Sequence, residues 1–143
     1  RFIVSGGHDL LIYVWGAVTR QQLRESGPHQ KPIKGLAFSP DGKTLAACDT
    51  TSVVRMWNFD SGEITCTIEN HSSPVKTVEF SPDGTLLASG GNDSLILIQN
   101  ATSGEVLHTL KGHRNTIYDI AFSEDARQVA TAAFDRTARV WKL

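Results

Sequence analysis

Neither sign of charge dominates the 143 residues: 14 Lys and Arg stand against 15 Asp and Glu, for a formal net charge of −1. A balance this close gives no global field for wrapping nucleic acid or coating an anionic membrane, both of which rest on concentrated Lys and Arg. Long apolar runs are missing too. Stretches such as Leu95 to Ile98 fall far short of the roughly 20 residues that span a bilayer, so no transmembrane segment is expected. Cysteine is scarce, and Cys48 and Cys66 form neither a CxxC pattern nor a His/Cys cluster. That excludes a disulfide framework and a metal site of this kind, and leaves two ordinary thiols. Phosphate loops and cofactor motifs are lacking, so no cofactor and no small-molecule substrate are expected. Arg1 opens the chain without a signal-peptide pattern and the single methionine is Met56, which predicts an excerpt of an intracellular, cytoplasmic or nuclear protein. Asn70, Asn92 and Asn100 head Asn-x-Ser/Thr triplets that would matter only after secretion.

What the chain does have is a repeat. Phe38-Ser39-Pro40-Asp41-Gly42 returns as Phe80-Ser81-Pro82-Asp83-Gly84 and, altered, as Phe122-Ser123-Glu124-Asp125-Ala126, at a constant interval of 42 residues. His29, His71 and His113 keep the same interval, as do Trp15, Trp57 and Trp141, with Gln99 in the remaining tryptophan slot.

Within each period the apolar residues alternate, a strand pattern. Strand a runs from Val75 to Phe80, with apolar positions Val75, Val78 and Phe80 spaced three and then two. That slip predicts a β-bulge, repeated in Ile33, Leu36, Phe38 and in Ile117, Ile120, Phe122. Ser-Pro-Asp-Gly is a hairpin turn whose glycine supplies positive φ, so Ala126 is expected to sit less comfortably. Strand b follows at Leu45 to Cys48, Leu86 to Gly90 and Val129 to Ala132. Strand c is the β-branched run at Leu11 to Val14, Val53 to Met56, Leu95 to Ile98 and Thr137 to Val140. A polar Gly-containing turn leads to strand d, Glu63 to Ile68 and Glu105 to Leu110. Cys48 on strand b and Cys66 on strand d are separated by strand c, about two 4.8 Å spacings, so free thiols are expected.

With its 42-residue period, Ser-Pro-Asp-Gly turns, Lys111-Gly112-His113 and Asp135-Arg136-Thr137-Ala138-Arg139-Val140-Trp141, the chain resembles the WD40-repeat family over its whole length. The other tryptophans precede Gly16 and Asn58, and the other histidines follow Pro28 and Asn70. The resemblance implies an all-β fold, a WD40-type β-propeller arc of four-stranded antiparallel blades. The phase predicts a partial blade b-c-d over 1–26, blades over 27–69 and 70–110, and a partial blade a-b-c over 111–143, fourteen strands in all. Propellers close with about four to eight blades, so the arc is expected to belong to a larger propeller.

The resemblance also bears on the polar residues. His71, Ser89 and Asp93, or His113, Thr131 and Asp135, have the residue types of a nucleophile, a base and an orienting carboxylate. In WD40 repeats the same types form a structural tetrad of loop His, strand b Ser/Thr, b-c turn Asp and strand c Trp. On that pattern His113, Thr131, Asp135 and Trp141 make a full set. His71, Ser89 and Asp93 have Gln99 in place of the tryptophan, and Ser5, Asp9 and Trp15 belong to the first repeat. Ala47 and Thr51 fill the hydroxyl and carboxylate slots of the second repeat, which predicts His29 and Trp57 without partners. Asp135→Ala is then expected to cost more than Thr51→Ala. No Gly-x-Ser-x-Gly elbow accompanies these residues, so an enzyme is not expected.

Function should then lie in exposed positions on the scaffold. Two sets face the end carrying the d-a and b-c loops: Lys34, Lys76 and Tyr118 at the strand a bulge, and His8, Thr50, Asn92 and Phe134 before the turn carboxylate. Phe134 occupies a slot that is polar elsewhere. These residues suggest protein or peptide partners with acidic, aromatic-tipped or phosphorylated segments. The competing reading has the lysines merely solvated and Phe134 packed on a neighbouring blade. The leading expectation is a non-catalytic protein-protein interaction scaffold. Its alternatives are a segment of a larger regulatory protein whose activity lies in another domain, and a nucleic-acid or anionic-lipid binder using Lys34, Lys76, Arg114, Arg136 and Arg139. The near-neutral charge balance disfavours the last.

Overall fold

The computed structural model describes residues 2–26 and 29–143; Arg1, Gly27 and Pro28, the last being part of the Pro28-His29 repeat marker, lie outside the described residues. The described residues form fourteen strands in four antiparallel sheets. The first sheet comprises β1 (Phe2–Gly6), β2 (Ile12–Gly16) and β3 (Gln22–Ser26). The second comprises β4 (Ile33–Phe38), β5 (Thr44–Asp49), β6 (Val54–Asn58) and β7 (Ile64–Ile68). The third holds β8 (Val75–Phe80), β9 (Leu86–Gly91), β10 (Leu95–Asn100) and β11 (Val106–Lys111); the fourth holds β12 (Ile117–Phe122), β13 (Gln128–Ala133) and β14 (Ala138–Lys142). Each sheet pairs its strands in chain order, and β1 packs on β4, β4 on β8 and β8 on β12. The result is an open arc of blades, a partial propeller.

Alternation along each strand delivers successive side chains to opposite seams. On β5, Leu45 and Ala47 enter the seam with the first sheet beside Ile12, Val14 and Ile33, while Ala46 and Cys48 enter the seam with the third beside Val75, Val78 and Leu87. The third seam gathers Ala88, Ile96, Ile98, Ile117, Ile120 and Val129. Each buried Ile, Leu or Val stabilises by about 1.5–3 kcal/mol, so the seams between sheets are the hydrophobic core. Cys48 and Cys66 are free, on β5 and β7 with β6 between them. Burial pushes the Cys48 thiol up to about 12, which keeps it protonated and inert.

The bulges on the inner strands fall where the apolar spacing slips: pairing shifts between Ile33 and Gly35, Val75 and Thr77, and Ile117 and Asp119. Lys34, Lys76 and Tyr118 are the extra residues, turned out of the ladder at the same end of each sheet. A second set of bulges, opposite Trp15, Trp57 and Gln99, has no counterpart in the apolar pattern. The turns repeat closely. Ser39, Ser81 and Ser123 each donate to the Asp two residues on at 2.6 Å. Ala126 adopts φ 56°, where Gly42 and Gly84 have 71° and 74°, so a Cβ is carried in left-handed backbone.

Polar links also tie neighbouring sheets. Ile33 N–H donates to Gly7 O at 3.0 Å and Val75 N–H to Thr51 O at 3.2 Å. Arg24 lies 4.4 Å over the Phe59 ring and donates to the carbonyls of Phe59 and Asp60, clasping β3 to the turn after β6.

Candidate functional site

The fullest polar cluster lies in the fourth sheet. Trp141 Nε1–H donates to Thr131 Oγ1 at 2.9 Å, Thr131 Oγ1 stands 2.7 Å from His113 Nε2, and His113 Nδ1 is 2.9 Å from Asp135 Oδ2. With a neutral imidazole the protons run one way: indole to hydroxyl, hydroxyl to Nε2, Nδ1–H to carboxylate. Every group is used. Asp135 also accepts the Arg114 N–H at 2.9 Å and the Thr137 hydroxyl; these bonds, with that from His113, hold its carboxyl well below the usual range. The cluster thereby fixes the loop before β12 to the turn between β13 and β14.

The third sheet repeats the geometry: His71 Nδ1 to Asp93 Oδ2 at 2.8 Å and Nε2 to Ser89 Oγ at 2.9 Å. The Gln99 amide oxygen reaches Ser89 Oγ at 3.4 Å, and its Nε2 is buried without a partner. In the first sheet Trp15 Nε1–H donates to Ser5 Oγ at 2.9 Å, while the nearby Asp9 carboxylate pushes the Tyr13 phenol up.

The second sheet corrects one expectation from the sequence. His29 keeps a carboxylate partner, supplied by Asp49 at the end of β5 rather than by position 51: His29 Nδ1 lies 3.1 Å from Asp49 Oδ2. Asp49 also accepts Arg55 Nη1 at 3.2 Å, the Thr51 N–H at 2.8 Å and the Thr51 hydroxyl. Burial pushes this fully enclosed carboxyl up, but the hydroxyl and N–H of Thr51 and the His29 ring outweigh that and hold it below the ordinary value. The hydroxyl vacated at Ala47 has no substitute, and His29 Nε2 is buried without a partner. Sequence comparison at position 51 alone misses Asp49 and Arg55. The available signal is a carboxylate at 49 where the other repeats carry Gly7, Gly91 and Ala133.

The distances in the third sheet are those of a hydrolytic triad. Access is not: Ser89 is fully buried and His71 nearly so, and a nucleophile must reach a substrate atom. What this arrangement can do is satisfy buried polar groups and hold loops. Among the described residues no group of His, Cys, Asp and Glu is placed to bind a metal ion.

The exposed slots are brought together in pairs. Lys34 Nζ lies 3.2 Å from His8 Nε2 of the preceding sheet. Asn92 Oδ1 accepts the Thr116 hydroxyl at 3.3 Å from the following sheet. Tyr118 and Phe134 are 55% and 65% exposed, with ring centroids 6.2 Å apart in an edge contact within one sheet. In the earlier sheets the slot of Phe134 holds His8 and Asn92, and each of these reaches the following sheet. Lys76 is half-buried at the bulge of β8, between those of β4 and β12.

The WD40 family, described as WD domain, G-beta repeat, matches residues 20–58, 62–99 and 104–142. This chain belongs to the WD40 family. Each matched WD40 unit starts at or just before the outer strand of one sheet and ends with the third strand of the next, so the sequence repeat is out of phase with the blade and each unit bridges a seam. Relatives include the protein hir1 of Schizosaccharomyces pombe, 32% identical over 48% of this chain and 7% of its own length. The DDB1- and CUL4-associated factor 13 of Dictyostelium discoideum is 30% identical over 44% of the chain and 14% of its own length. The Notchless protein homolog of Arabidopsis thaliana is 34% identical over 43% of the chain and 13% of its own length. The matched stretch is thus a small part of each of these curated relatives. No helix among the described residues is long and apolar enough to cross a membrane.

Proposed function

We propose that this WD40 chain is a non-catalytic scaffold that holds protein or peptide partners on the face formed by the d-a and b-c loops. The observation that carries the reading is the exposed aromatic pair Tyr118 and Phe134, at the same end as Lys34, Lys76, His8 and Asn92. Large aromatic side chains held in solvent on a rigid frame are the usual anchors of protein interfaces. The hydrogen-bonded clusters stiffen the loops that present them, and their closed hydroxyls support a structural tetrad over a catalytic one. The partner segment is acidic or phosphorylated, and the protein is intracellular. The relative from Dictyostelium, named as a factor associated with DDB1 and CUL4, lends support to an associating role.

A second reading is favoured by the small share of the relatives' length that the match covers. On it, the arc is one part of a larger regulator whose activity resides in another domain, and the scaffold role is what this part contributes.

Replacing Lys34, Lys76, Tyr118 and Phe134 together is expected to abolish partner capture while leaving the melting temperature unchanged. Retained capture would move the site to the blade sides or to the opposite face.

A further inference from the structure

We propose that the free edge of β7 is a docking strand for an extended segment of a partner protein, one that carries Lys or Arg at both ends and adds to the second sheet as a further strand. This surface is separate from the loop face. The first strands of successive sheets pack together, β4 on β8 and β8 on β12, which leaves the last strand of each sheet at the rim. There β7 pairs with β6 and with no other strand. The sheets on either side already hold their own outer strands, β3 and β11, so the openness of β7 does not depend on a further sheet at either end of the sequence.

What distinguishes β7 from the other rim strands is its lack of charge. Half the backbone N–H and C=O groups of a last strand point away from the sheet, and charged side chains on the strand ordinarily keep such an edge from recruiting another chain. Arg24 and Glu25 lie on β3, and His108 and Lys111 on β11. By contrast β7 reads Ile64-Thr65-Cys66-Thr67-Ile68, without charge or proline and with four β-branched residues in five, a composition suited to strand pairing. Ile64, Thr65 and Thr67 are exposed, Ile64 to 56%. An added strand would cover the Ile64 side chain and satisfy the open backbone groups together.

The flanks decide which strand can be added. Glu63 and Glu69 stand immediately before and after β7, both exposed, and among the described residues neither has a cation within salt-bridge distance. From Glu63 to Glu69 the sequence reads the same in both directions about Cys66. Two copies of the chain paired antiparallel about Cys66 would therefore set Glu63 against Glu69 at both ends, which repels. A segment with basic ends meets a carboxylate at each end whether it runs parallel or antiparallel. The next repeat holds Glu105 and Lys111 in the same two places, so its outer strand has no such doubly acidic frame.

The test is a selection of random dodecapeptides on the immobilised full chain with Cys66 held reduced, followed by fluorescence anisotropy and hydrogen exchange with the recovered peptides. These are expected to hold Val, Ile or Thr in alternation between Lys or Arg. Exchange should slow in β7 and stay unchanged around Lys34 and Lys76. Each exposed ion pair contributes little, but Glu63→Lys/Glu69→Lys turns attraction into repulsion at two points, so affinity should drop about tenfold. The same variant should melt like the parent, since both side chains lie in solvent, and should prefer peptides with acidic ends. N-methylation of alternate peptide amides gives two patterns, of which one should abolish binding and the other leave it, because only one set of N–H groups faces β7. Recovered peptides without the basic ends, loss in both methylation patterns or in neither, or affinity indifferent to the charge reversal would overturn the proposal. So would dimers of the chain whose formation slows exchange in β7, which would make a second copy the occupant. Binding that is lost in Lys34→Glu/Lys76→Glu but survives the reversal at Glu63 and Glu69 would remove this site and leave the loop-face scaffold standing.

Discussion

Asp49→Ala is expected to destabilise the chain by about 3 kcal/mol, the cost of leaving a buried charged group without its partner. The residue is fully enclosed and gathers four donors, from His29, Arg55 and both groups of Thr51. Removing it orphans His29 at both ring nitrogens, because Nε2 already lacks a partner, and leaves the Arg55 guanidinium without its anion. Thr51→Ala should cost well under half as much, since it deletes one hydroxyl and leaves the other donors in place. The pH dependence follows from the sign of the shift. The folded carboxyl lies below its unfolded value, so its contribution is fully present above the ordinary carboxylate range. It is lost as pH falls through the folded value. Asp49→Asn should therefore flatten the acid limb of the stability curve. Urea titrations between neutral and acidic pH measure both effects, and an unchanged midpoint in Asp49→Ala would show that the buried network contributes nothing net.

Thr131→Val is expected to cost about 2–3 kcal/mol, because one substitution strands two groups, the indole N–H of the half-buried Trp141 and the buried His113 Nε2. The side chain is of similar volume, so little of the loss arises from packing. The converse applies in the second sheet. Ala47→Ser would place a hydroxyl where Ser89 sits in the next repeat, beside His29 Nε2, and should stabilise by about 1 kcal/mol. Thermal melts of the two variants check the pair: opposite shifts are expected, and a shift of the same sign in both would remove the hydrogen-bond explanation.

Much of this architecture was legible in the sequence, for a physical reason. A period of 42 residues and alternating apolar positions fix which side chains enter which seam, so the fourteen strands and the bulges at Lys34, Lys76 and Tyr118 follow from spacing alone. Strand ends ran past the apolar pattern, as at Asp49 and Gly91, because ladder pairing uses backbone groups that any residue supplies. The bulges opposite Trp15, Trp57 and Gln99 were hidden since outer-strand side chains such as Leu23 and Ile64 are exposed and leave no apolar slip. Asp49 escaped comparison because a histidine can be reached from two places on the chain, the turn or the strand end. Contacts across a seam, Lys34 to His8 and Arg24 to Phe59, depend on how two sheets sit together and have no periodic signature.

The division of labour in the fold follows from these placements. Buried polar clusters hold each loop to its sheet, and the bulges turn exposed residues outward at one end. Binding and stability should then be separable by mutation, the clusters governing melting and the outward residues governing capture.

The most direct test of that separation is site-specific photo-crosslinking, with a benzophenone amino acid placed at Phe134 on the loop face or at Thr102 on the opposite turns, in the full chain with its partners present. Crosslinks to partner from position 134 and none from position 102 are expected. Crosslinks from 102 alone would place the interaction on the other face and contradict a loop-face scaffold.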